Sequence, residues 1–347
     1  MKKRTTMNDI AAELSVSRVT VWKALNTQPG VSELLRRQII EKANDLGYPL
    51  TLDLSMIESK DRAITVGVVV SRPESSLFWT NIIHSAAKEL AKTHINLLYI
   101  YVPSIYTPEY ELSPILTNGT IQGILVLNLY DETMIKLIDD LPIEKVYLDT
   151  VSSVPFHMLH GDIVLLEGYE SVRSITNHMA DKGITDFGFI GDIAYAHTNR
   201  DRYEGFLAAV QERNLNAEPE NCFTHSIGIY DYDKEIYEFL DNLPKLPRAF
   251  VCVSDFVASF VMQYLMKRDL KVPDQVALSG YDGSSEYASV AGVLTTAVVQ
   301  TAMLGKRLAL QLQYRINNSK APYEQIYIQT EVKYGSTTDI KQGTVDN

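Results

Sequence analysis

The chain has 347 residues, more than one small core holds, so two or three domains are expected. A composition of 46% hydrophobic and 22% charged residues is that of an ordinary globular protein, and no apolar run approaches the roughly 20 residues that span a bilayer. The net charge of -11 argues against a nucleic-acid partner for the chain as a whole, but its distribution reverses that for one end. Residues 1–50 carry Lys2, Lys3, Arg4, Arg18, Lys23, Arg36, Arg37 and Lys42 against five acidic side chains, which leaves +3 there and -14 on the remainder. A small basic head on a large acidic body fits DNA binding confined to the head. The basic start is followed by Asn8-Asp9-Ile10-Ala11-Ala12-Glu13 and not by an apolar signal core, so a cytoplasmic protein is expected. Cys222 and Cys252 have no metal-ligand spacing around them and read as buried, reduced thiols.

Three helices are predicted in the head. Thr6 caps Met7–Leu14, with Ile10, Ala11 and Leu14 on one face. A Ser15-Val16 turn follows, and Ser17 caps Arg18–Leu25, with Val21, Ala24 and Leu25 inward. After the Asn26–Gly30 loop, Ser32 caps a third helix in which Leu35, Ile39, Ala43 and Leu46 recur at helical spacing until Gly47. Two short helices around a tight turn, completed by a third, make a helix-turn-helix. Its second helix enters the major groove by its N-terminal end. Arg18 offers a fork to guanine, and Val19 an apolar contact to a thymine methyl. Ser17, Thr20 and Lys23 suit phosphate oxygens. Thr6, Trp22 and Asn26 complete the expected DNA-facing set.

Asp9-Ile10-Ala11, Val16-Ser17, Thr20-Val21, Ala24-Leu25-Asn26, Gly30-Val31-Ser32 and Leu46-Gly47-Tyr48 resemble, in order and spacing, the signature of the lactose/galactose-repressor family. The resemblance implies a hinge after the head at residues 51–63, and this chain departs from the family pattern there. Thr51 stands where Asn is usual, Leu54 where Ala is usual and Ile57 where Leu is usual, with Asp53 and Glu58 adding negative charge. Leu50, Leu54 and Ile57 keep an amphipathic spacing. Either Ile57 wedges into the minor groove, or the hinge dimerises without inserting.

The body, 64–340, alternates strand and helix. Ile64–Val70 is a β-branched run typical of a strand buried on both faces. Helix Ile82–Lys92 and strands Leu97–Val102, Ile124–Leu127 and Val146–Leu148 follow. A second series comprises helix Tyr169–Lys182, strand Phe187–Ile190, helix Tyr203–Arg213, strand Ala249–Val253, helix Phe256–Arg268 and strand Val276–Gly280. Parallel sheets with ligands at their strand C-terminal ends are expected. The fold class is therefore α/β, two Rossmann-like lobes behind an all-α head. The family resemblance implies a periplasmic-binding-protein-like body with an effector cleft between the lobes. Crossovers are expected near 163, 294 and 326, giving an N-lobe of about 64–163 and 295–325 and a C-lobe of about 164–294 and 326–340.

Effector-binding candidates sit at strand ends. Ser71 follows the first strand, and Phe78 and Trp79 are either lobe core or an apolar wall for a sugar face. Asp149 ends the Val146–Leu148 strand. The resemblance brings in Arg202, in Arg-x-x-Gly-Phe, Ser254-Asp255 and Tyr281-Asp282 as ligand contacts. Val299 stands where several relatives carry a ligand-contacting Gln. Carboxylates, one Arg and aromatic walls suit a polyol such as a sugar. A purine or nucleoside, or a protein co-effector, is the alternative on the same scaffold. No Gly-x-Gly-x-x-Gly, Walker loop, His-Glu-x-x-His or Gly-x-Ser-x-Gly occurs, so no cofactor, metal or enzymatic activity is expected. The Asp149/Asp282 pair would be the acid and base of the competing glycosidase reading. The partners expected are double-stranded operator DNA, a small-molecule effector and a second copy of the chain. The tail after Thr337 lacks a Leu heptad, so a dimer is favoured over a tetramer.

Overall fold

A computed structural model describes residues 5–25, 28, 30–46, 48, 64–71, 76–228 and 230–340. The chain divides into two compact units, Met1–Ala63 and Ile64–Asn347. Within the first, α1 (Met7–Glu13), α2 (Arg18–Leu25) and α3 (Glu33–Asp45) enclose Ile10, Val21, Ala24, Ile39 and Ala43. Local side chains set the helix starts. The Asp9 carboxylate accepts from both the amide and the hydroxyl of Thr6 at 2.7 Å. Ser17 Oγ accepts from Thr20 N at 3.0 Å. The end of α2 is fixed from a distance. Arg36 on α3, buried, donates to the carbonyls of Lys23 (3.1 Å), Ala24 (2.7 Å) and Gln28 (2.9 Å). Lys23 and Ala24 lie in the last turn of α2, and a guanidinium is the side chain that reaches three carbonyls at once.

The second unit holds two six-stranded sheets. One runs β11-β5-β4-β3-β1-β2 and the other β12-β10-β9-β8-β6-β7. The first is built from β1 (Thr65–Val70), β2 (Asn96–Tyr101), β3 (Gly123–Leu127), β4 (Glu144–Leu148), β5 (Asp162–Leu166) and β11 (Gln325–Ile328). The second takes β6 (Phe187–Ile190), β7 (Cys222–Phe223), β8 (Ala249–Cys252), β9 (Ala277–Asp282), β10 (Thr295–Val298) and β12 (Glu331–Lys333). Pairing is parallel throughout, except that β10 meets β12 antiparallel. The connecting helices are α4 (Leu77–Ala91), α5 (Glu132–Asp139), α6 (Tyr169–Asp181), α7 (His197–Arg213), α8 (Tyr232–Asn242), α9 (Asp255–Lys267) and α10 (Thr301–Asn317). Buried aliphatic and aromatic residues such as Val68, Leu125, Phe187 and Phe250 join the strands to these helices. Among the described residues, no helix is long and apolar enough to cross a membrane.

The chain changes sheet three times, and each change comes later than the family resemblance implied. All of β5 belongs to the first sheet, where it pairs with β4 and β11, so the first crossing follows Leu166 and not residue 163. Thr295–Val298 completes the second sheet between β9 and β12; the expected assignment of residue 295 onward to the first lobe is therefore corrected to after Val298. β11 ends at Ile328, beyond the expected 326. For β5 and β10 the reason is that a strand flanked on both sides satisfies its backbone only when its whole length stays in one ladder; β11 is an edge strand and stays paired with β5 from Gln325 to Ile328.

Candidate functional site

A cavity of about 510 Å³ lies between the two sheets, where the C-terminal ends of the parallel strands converge. Asn128 and Tyr130 follow β3, Asp149 follows β4, Asp192 follows β6, Ser254 follows β8, and Asp282 ends β9. The first turns of α7 add Thr198, Asn199 and Arg202. Aromatic rings from both lobes complete the wall: Phe78, Trp79 and Tyr130 from one, Tyr195, Tyr232, Phe256 and Tyr287 from the other. Phe78 and Trp79 meet edge to face, 5.2 Å between centroids. Asn128, Asp149 and Asp282 have φ of 51°, 63° and 117°. Left-handed backbone at three non-glycine strand ends costs energy, and its clustering around one cavity marks a site where geometry is held for use.

Six of the nine expected effector residues line this cavity: Phe78, Trp79, Asp149, Arg202, Ser254 and Asp282. The other three lie behind the wall and support it. Ser71 is buried, its hydroxyl bonded to the Asn128 carbonyl. Asp255 is buried too; it accepts from Thr296 Oγ1 at 2.7 Å and from Ser284 N at 2.6 Å. Tyr281 donates its hydroxyl to the Glu167 carbonyl, and its ring lies under the Arg202 guanidinium, 3.6 Å from centroid to Cζ. In this arrangement these three side chains touch Asn128, the Asp282 loop and Arg202 and do not themselves line the cavity. Val299 is buried away from the cavity. Asn128, Tyr130, Asp192, Asn199 and Tyr287 escaped the sequence reading. Asn128 and Tyr130 were accessible to it, because they directly follow the expected strand Ile124–Leu127.

Arg202 is only 5% exposed. It donates to the Val253 carbonyl at 2.8 Å, and its Nε has no hydrogen-bond partner. Asp149 is fully engaged across the lobes. One oxygen accepts from Thr150 N at 2.8 Å, and both meet Thr198, at its amide (3.4 Å) and at its hydroxyl (2.5 Å). Burial holds the Asp149 carboxyl above its ordinary range, while Thr198, Thr150 and Arg202 pull it back. Burial pushes Asp282 up to about 8, opposed by Arg202 and reinforced by Asp255, which burial itself pushes up to about 6. Tyr130 is raised well above an ordinary phenol, by burial first and then by Asp149. With both Asp149 oxygens committed to the start of α7, the acid and base pair of a glycosidase is not assembled. Among the described residues, no group of three or more His, Cys, Asp or Glu is placed to hold a metal ion.

The lobes meet at further points around the cavity. His197 N donates to the Thr150 carbonyl at 2.8 Å, and Leu77 N to Glu286 Oε2 at 3.0 Å. The Tyr130 and Tyr195 rings stand 4.3 Å apart.

In the head, Arg18, Val19 and Trp22 face outward on α2, Val19 at 61% and Trp22 at 46% exposure. Large exposed apolar groups on a short basic helix are the pattern of a reading surface. Thr20 and Lys23 are half-buried. The Ser17 and Thr20 hydroxyls bond each other at 2.8 Å, and Thr6 is committed to Asp9. Asn26, Ile57 and the rest of the hinge lie outside the described residues.

A profile for periplasmic binding protein-like domains matches residues 176–338. The HTH-type transcriptional regulator RegA of Clostridium saccharobutylicum is 25% identical over 334 residues, 93% of this chain and 96% of its own. The fold is shared with a transcriptional regulator CelR–cellobiose complex, at a TM-score of 0.67 and 20% identity over 96% of this chain and 100% of that one. It is shared also with a lac repressor dimer bound to operator and the anti-inducer ONPF, at a TM-score of 0.65 and 16% identity over 97% and 99%. These are regulators by name and not enzymes. The head signature, the two-lobed body and a regulator matched along nearly its whole length make the chain similar to transcriptional regulators of the lactose/galactose-repressor (LacI/GalR) family.

Proposed function

We propose that this regulator is a repressor whose affinity for operator DNA is set by a sugar bound in the interlobe cavity. The observation that carries this reading is the wall itself. Aromatic faces from both lobes surround a few polar groups, Arg202, Asn199, Asn128 and Asp282 among them, as a ring bearing hydroxyls requires. The volume suits one or two sugar rings, and the fold is that of a regulator solved with cellobiose. Arg18, Val19, Trp22 and Lys23 read the major groove, and two copies of the chain bind two half-sites, as two-fold symmetry requires; the lac repressor neighbour is likewise a dimer bound to operator by its name. A ligand gripped by both lobes favours the bridged arrangement of Asp149 with Thr198 and Thr150 with His197 over any open one, and that difference in affinity is what moves the equilibrium.

A thermal-shift screen of the full chain against pentoses, hexoses, disaccharides and purine nucleosides tests the reading, because a specific ligand raises stability by mass action. A sugar is expected to raise Tm in the wild type and not in Arg202→Ala. A shift from nucleosides alone would transfer the site to the purine alternative.

A further inference from the structure

The cavity wall is unbalanced in charge. It carries four carboxylates, Asp149, Asp192, Asp282 and Glu286, and among the described residues Arg202 is its single guanidinium or ammonium. Three of the four carboxylates already have donors. Asp149 has Thr150 and Thr198, Asp192 Oδ1 accepts from the amides of Ala194 (2.9 Å) and Tyr195 (3.0 Å), and Glu286 accepts from Leu77 N. The Asp282 side chain accepts no hydrogen bond from the described residues, although it ends a buried strand. Arg202 does not pair with it within 4.0 Å, being turned to the Val253 carbonyl and the face of Tyr281.

We infer that the effector is an amino sugar, a polyol carrying a protonated amine, with its ammonium at Asp282 and a hydroxyl or ring oxygen accepting from Arg202. This rests on the cavity being the effector site. A neutral hydroxyl would leave Asp282, which burial raises to about 8, protonated, and a carboxylate or phosphate would add negative charge to the wall, whereas an ammonium favours the ionised carboxylate and pairs with it. An ammonium supplies donors and charge together, and charge-assisted hydrogen bonds are roughly twice as strong as neutral ones. The walls reinforce the same sign. Tyr232, Phe256 and Tyr287 form a chain of rings, with centroids 5.0 and 5.5 Å apart, and aromatic faces attract cations. Arg202 Nε, buried and without a partner, answers to an acceptor on the same ligand.

Isothermal titration of the full chain at pH 6.5 tests this with matched sugars. The sets are D-glucose, D-glucosamine and N-acetyl-D-glucosamine, the corresponding galactose and mannose sets, and cellobiose against the chitosan disaccharide. In at least one set the free amine is expected to bind about tenfold more tightly than its neutral counterparts. Asp282→Asn, with its fold checked by melting, is expected to erase that preference. A neutral sugar that binds as tightly as its amine, or more tightly, overturns the amine while leaving the sugar reading intact. Binding by no member of any set overturns both. An amine preference that survives in Asp282→Asn overturns the assignment to that residue.

Discussion

Asp282 concentrates the chemistry of the cavity. It closes β9 at a φ of 117°, with Arg202 and Tyr281 beside it, Asp255 behind, and Tyr130 and Tyr287 close enough to feel its charge. Because burial raises its pKa to about 8, the folded protein holds this proton more tightly than the unfolded chain does. The stability that follows is fully present below about pH 4 and is lost as pH rises through about 8. Asp282→Asn removes the titration. Its melting temperature should exceed that of the wild type by a margin that widens from pH 5 to pH 9; a constant margin would show that Asp282 ionises freely. The type and strand-end position of this residue were legible in the sequence. Its isolation was not, because that depends on Arg202 turning to Val253 and Asp255 turning to Thr296, contacts made 51 and 41 residues apart along the chain.

At the scale of elements, local chemistry was legible where it acts alone. The head helices begin where Thr6, Ser17 and Ser32 indicated, because a cap needs only its neighbours. In the body, α7 starts at His197, six residues ahead of the expected Tyr203. Its first turn, His-Thr-Asn-Arg-Asp-Arg, has no apolar period, and Asp149 of the opposite lobe accepts from its Thr198 amide and hydroxyl. No local pattern encodes a cap supplied across a cleft. The strands β11 and β12 and the helix α8 were missed for related reasons, whereas β5, buried along its length, and α5, with Met134, Ile135 and Ile138 on its buried face, carry local patterns that were legible. β11 alternates exposed with half-buried residues, and α8 buries only Ile236 and Leu240. Helix crossings explain two glycines, Gly205 of the Arg-x-x-Gly-Phe element and Gly305 on α10. A Cβ on Gly205 would lie 2.1 Å from the Tyr169 carbonyl oxygen, and one on Gly305 2.2 Å from that of Ile82. An exposed helical Gly→Ala change gains about 1 kcal/mol. Gly305→Ala should instead destabilise the body by about 1–3 kcal/mol, because α4 and α10 must separate. Urea unfolding checks the sign, and a gain in stability would mean that the crossing relaxes freely.

For the whole molecule, the sequence separated a basic reader from an acidic sensor, and the structure gives the sensor two sheets that meet around one cavity. The bridges from Asp149, Thr150 and Leu77 to the second lobe supply a definite closed arrangement for a ligand to favour. The proposed function ties cavity occupancy to DNA affinity, and that link is directly measurable. Duplexes are selected from a random pool by the full chain, and the dissociation constant for the selected sequence is determined with and without a saturating cavity ligand. A two-fold-symmetric sequence is expected, with a change of about tenfold or more on adding ligand. That change should vanish in Arg202→Ala, while DNA binding itself persists. A dissociation constant that saturating ligand leaves unaltered in the wild type would contradict it.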